Sequence, residues 1–110
     1  VSAIVTLSER KAREAARRRA AADAIATELA AFARQSGGRI LLFGSAARGS
    51  MTDMSDIDLM IDMAERDEAR AWSLVERLCR EHDIPADIHS ARTTRPALLD
   101  RIERTARVLA

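Results

Sequence analysis

Apolar positions change their period several times along the chain. From Ser8 to Gln35 the sequence is rich in Ala, Arg and Glu and free of Pro and Gly, and Ser8 before Glu9 suits a helix start. The second half of this stretch has an apolar stripe, Ile25, Leu29 and Phe32. The first half carries Arg10, Lys11, Arg13, Arg17, Arg18 and Arg19 among alanines. The spacing predicts one long helix whose back half packs on the domain and whose basic front half projects. Gly37 and Gly38 end it, because glycine adopts the left-handed conformation that closes a helix.

A short apolar run, Arg39 to Phe43, ends at Gly44 and reads as a buried strand; Thr52 to Ser55 reads as loop. Asp56 to Asp62 sets acidic or Met residues between Ile57, Leu59 and Ile61, the period of a strand with one wet and one dry face. A helix from about Arg66 to His82 follows, with Ala71, Leu74, Val75 and Leu78 at helical spacing. Pro85 breaks the chain, and Ala86 to Ser90 is a third strand. Pro96 opens a last helix, expected to carry Leu98, Leu99, Ile102, Ala106 and Leu109 along one side.

At 110 residues the chain has room for one domain. The core is modest, since 22 of the apolar residues are alanine. Eighteen basic residues against seventeen acidic give a net charge of +1, so no global field recruits nucleic acid. One cysteine, Cys79, excludes an internal disulfide and a multi-cysteine zinc site, and reads as a small buried side chain. There is no long apolar run and no basic-then-apolar start, which points to a soluble cytoplasmic protein without membrane contact.

Candidate chemistry begins at Gly44-Ser45-Ala46-Ala47-Arg48-Gly49, directly after the first strand, a turn of the kind that binds phosphate. A P-loop would need lysine where Ser50 stands and Ser or Thr where Met51 stands, so that reading fails. Ten residues separate Ser45 from Asp56, and Asp56-Ile57-Asp58 opens the second strand. Residues two apart on a strand share a face, so both carboxylates project together, and paired anions favour a hard cation such as Mg²⁺. Asp87 in the third strand is a third candidate ligand. For Ser45 to meet Asp56 and Asp58 the first two strands run antiparallel, and for Asp87 to join them the second and third run parallel, giving a mixed sheet. Asp62 shares the face of Asp58 but lies about 13 Å away along the strand, too far for one ion.

Other chemistry-bearing residues have plainer readings. His89 shares the face of Asp87 and reads as a partly exposed structural histidine, His82 suits a helix C-terminus, and Asp53 suits a solvated turn. Trp72 packs rather than stacks on a base. The Arg10 to Arg19 cluster reads as a solvated helical face, with partner or RNA contact as the alternative. Two Phe, one Trp and no Tyr leave little for base stacking, so nucleic acid is not the favoured partner.

The segments Gly44-Ser45-x-Ala47-Arg48-Gly49 and Ser55-Asp56-Ile57-Asp58-Leu59 together resemble the G-S-x10-D-x-D signature of the DNA polymerase beta-type nucleotidyltransferase superfamily, and most of all its minimal (MNT) branch. The match is dense from Ile40 to Asp62 and looser over 22–109, and Asp87 fits the third carboxylate. The resemblance implies an α/β nucleotidyltransferase fold: a small mixed sheet flanked by helices, behind a long N-terminal helix. The chain then divides into a basic helical extension over 1–20, longer than a minimal domain needs, and a minimal nucleotidyltransferase domain over 21–110. It implies transfer of a nucleoside monophosphate, AMP from ATP, to a hydroxyl. Asp56, Asp58 and Asp87 would be both catalytic residues and ligands of two Mg²⁺ ions, and Gly44, Ser45 and Arg48 would hold the nucleotide. Minimal members resemble antitoxins that modify HEPN-type ribonuclease toxins, which makes a HEPN-type toxin the expected partner. No second domain is apparent to close over a small substrate, which favours a macromolecular acceptor. The alternatives are a catalytically inactive antitoxin-like binding module, or transfer to a small molecule or RNA. The basic first helix and the stripe Leu98, Leu99 and Ile102 are the surfaces expected to remain for docking or for homo-oligomer formation.

Overall fold

The computed structural model describes residues Thr6–Leu109. A 30-residue helix, α1 (Leu7–Ser36), is capped by Thr6, whose hydroxyl accepts from the Glu9 N–H at 3.1 Å. It stops at Gly37, left-handed at φ 76°, whose N–H returns to the Ala33 carbonyl. Strand β1 (Arg39–Phe43) leads directly into a one-turn helix, α2 (Gly44–Arg48), and a loop carries the chain to β2 (Ile57–Asp62). Helix α3 (Glu65–Glu81) crosses over to β3 (Ala86–Ser90); its first turn carries Glu65, Asp67 and Glu68, which suit the positive end of its dipole. A 3₁₀ turn (Ala91–Thr93), helix α4 (Pro96–Thr105) and a three-residue strand β4 (Arg107–Leu109) complete the order. No helix among the described residues is long and apolar enough to cross a membrane.

The sheet order is β3-β2-β1-β4, with β1 antiparallel to both β2 and β4 and β2 parallel to β3. The expected mixed sheet is therefore present. Strand alternation divides its side chains between two faces. Ile40, Leu42, Ile57, Leu59, Ile61 and Leu109 join Ile25 and Leu29 of α1 and Ala71, Val75 and Leu78 of α3 in the larger core. Leu41 and Met60 point the other way and are covered by Ile102, Leu99 and Phe43.

Two expectations about the C-terminal region are corrected. The last helix ends at Thr105, because Ala106 is extended (φ −76°, ψ 153°), and Leu109 pairs with Ile40 as part of an unanticipated fourth strand. The stripe reserved for docking is also largely spent: Ile102 is buried and Leu99 half-buried against the sheet, leaving Leu98 exposed. Trp72 and Cys79 pack as expected, and burial pushes the Cys79 thiol up to about 11.

Of the basic extension expected over 1–20, residues 1–5 lie outside the described residues. The remainder is continuous with α1, whose first buried residue is Ala21. Its arginines do more than face solvent. Arg17 donates to the His82 and Asp83 carbonyls at 2.8 and 2.7 Å, and Arg18 to the Ser55 carbonyl at 2.9 Å. Glu14 accepts from both guanidiniums, first from Arg17, and these bonds hold its carboxyl at about 2. The front of α1 is thus fastened to the turn after α3 and to the loop before β2.

Candidate active site

Three elements converge at the end of the sheet where β1 finishes and β2 and β3 begin. Phe43 ends β1 opposite Asp58, and Asp58 stands beside Asp87 in the parallel β2–β3 ladder. Neighbouring strands lie about 4.8 Å apart, so the two carboxylates leave the same face of adjacent strands. Asp56 precedes β2 by one residue, where it is exposed rather than laddered. Its approach is set by a compact turn: Ser55 Oγ accepts from the Thr52 N–H at 2.8 Å, and the Ser55 carbonyl is the one gripped by Arg18.

Gly44 makes this convergence feasible. It sits at φ +68°, a conformation that L side chains rarely adopt, and a Cβ there would run into the Asp58 carboxylate, 3.0 Å from its carboxyl carbon. The glycine that ends β1 and starts α2 is therefore required by Asp58 itself. Gly49, at φ +71°, closes α2 with its N–H on the Ser45 carbonyl. Ser45 is half-buried in α2 and Arg48 is exposed at its end.

The electrostatics follow from this packing. Burial raises the pKa of Asp58 above 3.8, and the negative charges of Asp87 and Asp56 raise it further, against the opposing influence of His89 and Arg48. Asp87, with a side chain 57% exposed, is met by His89, whose Nε2 lies 3.2 Å from its carboxylate. The His89 ring in turn leans on Phe43, with centroids 5.7 Å apart. Asp62, on the same face of β2, does not belong here: Arg39 donates to it at 2.6 Å and to Glu103 at 3.0 Å.

Of the residues singled out from sequence, the structure brings Gly44, Asp58 and Asp87 into immediate proximity, with Ser45 and Arg48 on the adjoining helix and Asp56 at the rim. Among the described residues, no three His, Cys, Asp or Glu side chains enclose a preformed metal cage. The donor set is nonetheless of the right chemistry for a hard divalent cation, since the repulsion that raises Asp58 is what such an ion relieves. Sequence reading missed two arginines. A cleft of about 350 Å³ behind α2 is lined by Arg19, Arg48 and Arg107, with Asp23 its lone acid. Arg19 comes from α1 and Arg107 from β4, so no local pattern connects them to Arg48.

No curated protein matches the chain. The family described as "Polymerase beta, Nucleotidyltransferase" matches it over residues 33–110, which spans the sheet, α2, α3 and α4.

Proposed function

The chain belongs to the polymerase beta nucleotidyltransferase family, and from that premise we propose that it transfers AMP from ATP to a hydroxyl group on a partner protein, with Mg²⁺ as cofactor. The observation that carries this reading is the seat of Gly44 against Asp58, with Asp87 beside it, because it joins the phosphate-binding turn to the acid cluster in one site. Asp56, Asp58 and Asp87 would hold two Mg²⁺ ions, which when bound neutralise the triphosphate and lower the pKa of the attacking hydroxyl.

The chain's own residues divide the remaining work. Ser45 donates its hydroxyl to a phosphate oxygen, and Arg48 neutralises the β and γ phosphates, with Arg19 and Arg107 adding positive charge in the cleft behind. The acceptor oxygen forms a bond to the α-phosphorus as the bond from that phosphorus to the α,β-bridging oxygen breaks, and pyrophosphate leaves. The acceptor's proton passes to the Asp87 carboxylate, which His89 orients. Asp56 is exposed at the rim of the site, so an acceptor carried by another molecule can approach from that side.

None of the 110 residues is tyrosine, so a tyrosine hydroxyl acceptor lies outside them. The resemblance to minimal members that modify HEPN-type toxins supports such a toxin as the partner, with this chain as its antitoxin. The test is co-expression with the adjacent reading frame, followed by intact-mass measurement of both chains. An AMP-sized increase on the partner that disappears in Asp56→Ala/Asp58→Ala supports transfer. Co-purification without any mass change favours the inactive binding module, and the absence of both points to a small-molecule or RNA acceptor.

A further inference from the structure

Strand β3 is an edge of the sheet, and its sequence is self-complementary. The Ile57 N–H donates to the Pro85 carbonyl at 3.0 Å, so by the alternation of a parallel ladder Asp87 and His89 turn their backbone groups toward β2. Ala86, Ile88 and Ser90 turn theirs outward, where among the described residues only the Ser90 carbonyl finds partners, the hydroxyls of Thr93 and Thr94. On the outer side of the strand two clefts of about 500 and 470 Å³ meet at Ile88, the first reaching along Pro85 and Cys79, the second along Ser90 and Trp72. The other edge, β4, has three residues among those described.

We propose that β3 pairs antiparallel with β3 of a second copy of this chain, across a two-fold axis at Ile88, to form a continuous eight-stranded sheet. In that register Ile88 exchanges two backbone hydrogen bonds with its counterpart, and Ala86 faces the other copy's Ser90. Asp87 faces the other copy's His89 as a non-hydrogen-bonded pair, the kind with Cα atoms about 4.5 Å apart and side chains in contact. Each Asp87 then lies between two imidazoles and each His89 between two carboxylates, so hydrogen-bond acceptors and imidazole donors alternate across the junction. A shift by one residue would lose this match, because Asp87 would face Ile88 or Ser90. The axis also exchanges the two clefts, so each copy's strand occupies the outer groove of the other. Pairing brings a second histidine to a carboxylate of the candidate active site. It holds whether or not the chain transfers nucleotides.

The test is oligomeric state by sedimentation equilibrium, with the folded state of each variant followed by circular dichroism. The wild-type chain is expected to be a dimer. His89→Asp sets carboxylate against carboxylate at both ends and should weaken the dimer roughly tenfold. The double swap Asp87→His/His89→Asp restores alternation and should recover it. In a Cys79→Ala background, Ile88→Cys should form an intermolecular disulfide on mild oxidation, because a hydrogen-bonded antiparallel pair has Cα atoms about 5.5 Å apart, within disulfide range. That cross-link also decides the matter should the charge variants fail to fold. A monomeric wild type overturns the proposal, as does a dimer that ignores both charge variants and gives no cross-link.

Discussion

Asp58 and Asp62 lie on one face of one strand, four residues apart, and meet opposite fates. At the Asp62 end, Arg39 bridges Asp62 and Glu103 in the register Arg39–Asp62 set by the β1–β2 pairing, and both carboxylates are answered within 3.0 Å. At the Asp58 end, the parallel pairing with β3 adds Asp87, the preceding loop adds Asp56, and a glycine is placed where any side chain would collide. One end is built for cohesion, and the other stores repulsion. A folded chain keeps such repulsion where a ligand relieves it, and that distinguishes the candidate site from an ordinary acidic surface.

Removing the repelling acids has the largest expected effect. Asp56→Ala/Asp58→Ala is expected to reduce nucleotide transfer by about 10³-fold, on the scale of losing preorganised charge at a reacting centre, without lowering the melting temperature. Label transfer from radiolabelled ATP and thermal denaturation of the same samples check both halves. Gly44→Ala should cost about 2–3 kcal/mol of stability, since it imposes a strained φ and drives a methyl into Asp58. Urea unfolding measures it, and a loss under about 0.5 kcal/mol would show that the close approach is not needed.

At the cohesive end the expectation reverses. Asp62→Asn should cost about 0.5–1 kcal/mol, the scale of a half-exposed ion pair, with transfer unchanged. A smaller effect of opposite sign is expected from Asp58→Asn. The folded-state pKa of Asp58 is raised, so its penalty is absent below the ordinary value of 3.8 and grows as pH rises through the raised value. At neutral pH the variant should therefore be slightly more stable than the wild type, and Mg²⁺ should stabilise the wild type more than the variant. The smallest effect concerns the strut formed by α1. Glu14 is depressed from 4.5 to about 2 by Arg17 and Arg18, so its contribution is complete above about pH 4.5 and is lost as pH falls toward 2. The melting temperatures of wild type and Glu14→Gln should differ at pH 7 and converge across that window.

Much of this was legible along the chain. Period-two alternation located β2, the apolar run located β1, and the demand that Ser45, Asp56, Asp58 and Asp87 meet implied the antiparallel and then parallel order found in the sheet. The C-terminus was misread because Leu98, Leu99, Ile102, Ala106 and Leu109 fit a helical face throughout, and a three-residue strand is too short to show its own period. Its identity comes from Ile40 and Leu41, which offer an unpaired edge. Helix α2 was read as a turn, because five residues carry no periodicity.

What the sequence by itself determined are properties of neighbours along the chain: where helices start and stop, which strand residues share a face, and which glycines and carboxylates form a recognisable pattern. Tertiary structure decided everything that depends on partners distant in sequence. It made Gly44 a requirement of Asp58, gave Asp62 to Arg39, turned Arg17 and Arg18 into tethers 65 and 37 residues from the carbonyls they hold, and gathered Arg19, Arg48 and Arg107 around one cleft. The physical reason is range. Backbone conformation and side-chain alternation are set within a few residues, whereas burial, charge compensation and hydrogen-bond satisfaction depend on which segments the fold brings into contact.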